Sequence, residues 1–107
     1  MIKLVYCINR KPGMTREAFL DYWKNVHAPI GARIPGVRRF VQSHALAQGA
    51  DARPPDFDGM VELWFDDLDG LLAARRSHEW ALSSADEANF VDHSRVAYFV
   101  SEEHTIL

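Results

Sequence analysis

A single cysteine, Cys7, stands among the 107 residues of the chain. One thiol rules out an internal disulfide and fits a reducing, cytoplasmic compartment. Long apolar runs are missing as well, and nothing approaches the ~20 consecutive apolar residues of a membrane helix. The segment from Met1 to Ile8 is too short an apolar run for a secretory leader. It meets Asn9-Arg10-Lys11-Pro12-Gly13 without a small-residue cleavage site. Basic residues are not in excess: 12 Lys and Arg stand against 15 Asp and Glu, a formal net charge of −3. The chain therefore carries no electrostatic footprint for nucleic acid and no basic helix for an anionic membrane. The five histidines show no His-x-His or His-x₃-His spacing and have no second cysteine to join them, so no metal site is expected. No Gly-x-Gly-x-x-Gly or Gly-x₄-Gly-Lys loop is present to cradle a nucleotide, and no Gly-x-Ser-x-Gly elbow to present a serine. The expectation is a chain without metal or cofactor.

What is present fits one globular domain over residues 1–107, with 48% hydrophobic and 25% charged residues. Ile2 to Ile8 is rich in β-branched and aromatic residues and is closed by Pro12-Gly13, which predicts a strand. Thr15 is placed to cap a helix, with Glu17 in the first turn where a carboxylate suits the helix dipole. Phe19, Tyr22, Trp23, Val26 and Ile30 then recur at helical spacing. Pro29 lacks an N–H, so the helix should kink or restart there. Val37 to Leu46 reads as a second strand, 47–58 as a loop, and Gly59 to Phe65 as a third strand. Asp66 or Asp67 caps a second helix through Leu68, Leu71, Leu72 and Arg75, and a short helical piece follows around Glu79 to Leu82. Val96 to Val100 forms the fourth strand.

The order βαββαβ predicts an α+β, ferredoxin-like sandwich: a four-stranded antiparallel sheet with two helices on one face. A sheet with one wet face should alternate apolar and polar residues. Strands one, three and four are instead apolar on both faces. Two helices cover only one of them, so the other face is expected to pack on a second copy as a homodimer.

Phe19-x-x-Tyr22-Trp23-x-x-x-His27-Ala28-Pro29 resembles the helix-one signature of the EthD family. The likeness continues through Pro35-Gly36, the run Asp58 to Asp66, and Asp86-Glu87-Ala88-Asn89-Phe90-Val91-Asp92, covering essentially Ile2 to His104. The resemblance implies a dimeric α/β barrel and an association with degradation of a branched alkyl ether beside an oxygenase system. Related families include polyketide decarboxylases or dehydratases and, more distantly, muconolactone-type isomerases. The strand-three cysteine of those isomerases has no counterpart here, where Val61, Glu62, Leu63 and Trp64 stand.

His27 is the strongest candidate for chemistry. It lies about 80° from Phe19 on a helical wheel, at the margin of the apolar stripe, where a side chain points into the cleft between helix and sheet. An imidazole there can serve as general acid or base. The alternative is a helix-end histidine bonded to local backbone. Trp23, Tyr6, Phe40, His44, Glu62 and Trp64 are the candidate binding residues. Glu62 is expected either to pair with Arg38 or Arg39 or to sit in the cavity. Asp86, Glu87, Asn89 and Asp92 are read as caps and loop ligands. The function expected is proton transfer on a small carbonyl or carboxylic compound, without cofactor. The rival readings are a non-catalytic binding protein of an oxidative pathway and a cofactorless or haem-dependent monooxygenase.

Overall fold

A computed structural model describes all residues, 1–107. Strand β1 (Ile2–Ile8) leads through the Pro12-Gly13 turn into helix α1 (Arg16–Tyr22). The Thr15 hydroxyl caps α1 by accepting from the Ala18 N–H. The helix widens into one π-helical stretch (Trp23–His27) and, as Pro29 suggests, restarts there as α2 (Ala28–Gly31). Widening lets the Ala28 N–H reach the Trp23 carbonyl five residues back. Such π segments are frequent at functional sites. Strands β2 (Arg39–His44) and β3 (Gly59–Phe65) follow, then helices α3 (Leu68–Arg75) and α4 (His78–Asp86). A 3₁₀ turn (Glu87–Asn89) and strand β4 (Ala97–Glu102) complete the chain. Asp67 caps α3 and Ser77 caps α4, so the short helical piece expected at 79–82 is a full helix in its own right. Strand β2 is shorter than the expected 37–46, although just beyond its ends the Arg38 N–H still donates to the Trp64 carbonyl and the Ala45 N–H to the Asp58 carbonyl; the Arg38 side chain holds Asp66. Strand β4 begins one residue later than expected and runs on to Glu102.

All pairings in the sheet are antiparallel, in the order β2-β3-β1-β4. Register decides which residues share a face. Leu4 opposes Leu63 and Val100, and Phe40 opposes Leu63, so these side chains point together toward the helices. The core lies on that side, where Phe19, Trp23, Leu71, Ala74 and Phe90 meet Leu4, Ile8, Val61 and Phe65. Burying each large side chain contributes about 1.5–3 kcal/mol. Trp23 can lie flat on β3 because Gly59 leaves room: a Cβ there would come within 2.4 Å of the indole.

The helix-free face carries Lys3, Val5, Cys7, Arg39, Val41, Met60, Glu62, Trp64 and Phe99 by register. It is more mixed than the sequence implies. Lys3 bonds Glu62 at 2.9 Å, and Lys3 and Arg39 both lie over the Trp64 ring. Phe99 remains 55% exposed, so an apolar surface is still open on this face.

Candidate functional site

Between the sheet and the helices lies a cavity of about 290 Å³, near the lower end of small-ligand pockets. Twelve of its 17 lining residues are hydrophobic, so it favours an apolar ligand. The polar residues that line it are His27, Ser83, Ser84 and Glu87, beside the amphipathic rings of Tyr6, Trp80 and Tyr98. Gly31 is part of the wall because a Cβ at that position would come within 2.9 Å of Phe40.

His27 closes the π-helical stretch, one turn beyond Trp23, and packs its ring 4.7 Å from Phe90. Its Nδ1 lies 2.8 Å from Asp86 Oδ2, and the two side chains are only 10% and 12% exposed. Its Nε2 makes no hydrogen bond within the protein, and the residue lines the cavity. Asp86 ends α4 and is held from three sides. The Tyr22 hydroxyl donates to Oδ1 at 2.6 Å, and Asn89 Nδ2 donates to the same oxygen at 3.0 Å. Burial pushes the Asp86 carboxyl up, but the bonds from Tyr22, His27 and Asn89 outweigh it, and the group sits below the usual carboxylate range. A carboxylate acceptor on Nδ1 places the proton of the neutral imidazole on that nitrogen, and Nε2 then carries the free lone pair.

A second polar pair lies along the same cavity. Tyr6 donates its hydroxyl to Glu87 Oε1 at 2.8 Å, and His93 Nε2 lies 3.0 Å from the same oxygen. Burial, then the charge and hydrogen bond of Glu87, hold the Tyr6 phenol far above the ordinary tyrosine range, so it stays protonated and donates.

The candidates named from sequence divide between two places. Tyr6, Trp23, His27 and Phe40 line the cavity. His44 does not: it stacks on Trp23 at 4.8 Å and bonds Gln42, and Gln42 donates to the Trp23 carbonyl of the π segment. Burial, with Lys24 and Arg16 nearby, holds the His44 imidazole below its usual range. Glu62 and Trp64 are corrections. Both side chains point to the helix-free face, since the cavity side of β3 carries Val61 and Leu63. Glu62 pairs with Lys3 rather than Arg38 or Arg39, because antiparallel pairing puts Lys3 on the same face of the adjoining strand β1. Trp64 donates its indole N–H to Glu103 at 2.6 Å. Asp86 and Glu87, read from sequence as caps and loop ligands, are instead the partners of His27 and Tyr6. The run Asp86 to Phe90 was the available signal.

Residues 11–94 match the EthD domain. The chain belongs to the EthD family. Within that family it is similar to an uncharacterised 11.0 kDa protein encoded in the thcB–thcC intergenic region of Rhodococcus erythropolis. That likeness is 29% identity over 86 residues, covering 80% of this chain and 82% of the relative. An EthD family protein of Bacillus halodurans superposes with a TM-score of 0.82 at 27% identity, over 97% of this chain and 99% of that one. SnoaB of Streptomyces nogalater, a cofactor-independent oxygenase, shares the fold at a TM-score of 0.69 and 12% identity, over 99% of this chain and 95% of its own. The Asp86–Asn89 run and His27 both lie inside the segment matched to the EthD domain. No group of three or more His, Cys, Asp or Glu side chains is placed to hold a metal ion, and no helix is long and apolar enough to cross a membrane.

Proposed function

We propose that this EthD chain holds a small, largely apolar molecule in the cavity and moves a proton on it with His27, in an isomerase, dehydratase or decarboxylase sense. One observation carries the reading: His27 lines an apolar cavity, its Nδ1 pinned to a largely buried carboxylate and its Nε2 left unbonded. Nε2 would remove a proton beside a carbonyl, and Asp86 would stabilise the imidazolium that forms. Because Asp86 sits below the usual carboxylate range, it accepts the hydrogen bond without taking the proton. The imidazolium then returns the proton elsewhere on the substrate. A thermal-shift screen over lactones, phenols and ketones should find a stabilising ligand. His27→Ala should then abolish turnover while leaving the melting temperature within a few degrees. Intact turnover in a folded His27→Ala variant would refute the reading.

The fold likeness to a cofactor-independent oxygenase supports a second reading, in which the same base deprotonates an electron-rich ligand for attack on oxygen. Ligand-dependent oxygen uptake separates it from the first, and stoichiometric binding without turnover would mark a carrier. We also infer that the helix-free face is a homodimer interface, on the strength of exposed Phe99 beside Val5, with Met60 and Val41 farther across the same face, which no helix covers.

A further inference from the structure

We propose that the cavity admits neutral ligands that donate a hydrogen bond and rejects free carboxylates, with Glu87 as the residue that discriminates. The inference rests on the reading above that the cavity is the ligand site, and it narrows the substrate class. No lysine or arginine is among the residues lining the cavity. Cations are available in this fold: Arg10, Lys11, Arg16 and Arg95 gather around a separate cleft at the far end of β1. Arg75 lies over the rings of two lining residues, 5.3 Å from Tyr98 and 6.0 Å from Trp80, yet it does not line the cavity itself. A protonated His27 offers no free positive charge either, since Asp86 neutralises it at 2.8 Å.

Glu87 adds a negative group to this cation-free space. Its Oε1 is occupied by Tyr6 and His93, whereas its Oε2 has no protein partner. A carboxylate ligand would lose its hydration, gain no cation and meet Glu87 at low dielectric. A hydroxyl or an amide N–H would donate to the unpartnered oxygen, and a site built to accept such a donor discriminates sharply against ligands that cannot supply one. Glu87 therefore has a binding role distinct from that of His27.

The test compares 4-ethylphenol, 4-ethylbenzamide and 4-ethylbenzoate at neutral pH, with Kd values from ¹H–¹⁵N NMR titration of the intact chain. The phenol and the amide should each bind at least about ten-fold more tightly than the benzoate, with shifts centred on Trp23, Ser83 and Glu87. Glu87→Gln should bring benzoate to within about three-fold of the amide, and Tyr6→Phe, which keeps the carboxylate, should preserve the preference. Benzoate binding as tightly as the neutral pair, or a ratio unchanged in Glu87→Gln, overturns the selectivity and leaves the ligand cavity standing. If Glu87→Gln fails to fold, the amide–benzoate ratio in the unaltered protein decides. Failure of all three probes to bind would instead overturn the cavity reading, and the selectivity with it.

Discussion

Replacing Asp86 with asparagine tests the proposed chemistry without changing the shape of the site. Asp86 Oδ1 accepts from Tyr22 and Asn89, and Oδ2 faces His27 Nδ1. In Asp86→Asn the single amide oxygen takes the Oδ1 position, where two donors hold it, and the NH₂ then points at His27. Two donors cannot share that contact, so the imidazole must move its proton to Nε2 and accept through Nδ1. A charge-assisted bond worth about 1.5–3 kcal/mol becomes a neutral one worth about 1 kcal/mol, a net loss of roughly 0.5–2 kcal/mol. The catalytic effect is far larger, because Nε2 becomes a donor and ceases to be a base. Turnover should fall by about 10²–10⁴. Long-range ¹H–¹⁵N spectra of the histidine rings read the tautomer directly and need no substrate. The unaltered protein should show His27 protonated at Nδ1, and Asp86→Asn should show it protonated at Nε2. An Nε2-protonated His27 in the unaltered protein, or an unmoved proton in the variant, would refute the argument.

Three further outcomes follow from the same structure. The folded-state pKa of Asp86 lies below its ordinary value of 3.8, so its stabilisation is present above pH 3.8 and is lost as pH falls through the lower folded value. Urea unfolding across pH should show the stability gap between the unaltered protein and Asp86→Asn closing below that point; a gap that widens on acidification is the wrong sign. Gly59→Ala would put a Cβ 2.4 Å from the Trp23 ring and 2.7 Å from the Ser43 carbonyl, and the oxygen cannot retreat because β2 is held in the ladder. Overpacking should cost about 1–3 kcal/mol in the same assay and alter the near-ultraviolet signal of Trp23, so an unchanged midpoint argues against the contact. Light scattering should give twice the 12.2 kDa chain mass, and Phe99→Glu, on the open helix-free face, should give the single mass. A monomeric unaltered protein defeats the interface.

The order of elements was legible in the sequence because its signals are local. Thr15 caps α1 whatever lies above it, and Asp67 does the same for α3. Pro29 announced a disturbed helix, although the absence of an N–H does not choose between a kink and the wider π turn that formed. The position of His27 at the stripe margin needed only helical geometry. Strand faces were another matter. Met60 to Phe65 is apolar on both sides apart from Glu62, so alternation could not say whether Val61 and Leu63 or Glu62 and Trp64 face the helices. Pairing with β1 decided it, and with it the partner of Glu62. The partners of His27 and Tyr6 were out of reach for a similar reason. Asp86 is 59 residues from His27 and Glu87 is 81 from Tyr6, separations closed only when α4 packs beside α2 and the turn that follows it meets β1. The sequence by itself determined the elements, their caps and the histidine at the cleft, because each is written within one turn or one strand. The tertiary structure alone decided which carboxylates meet that cleft and which stay outside it, because a charge finds its partner across the fold and not along the chain.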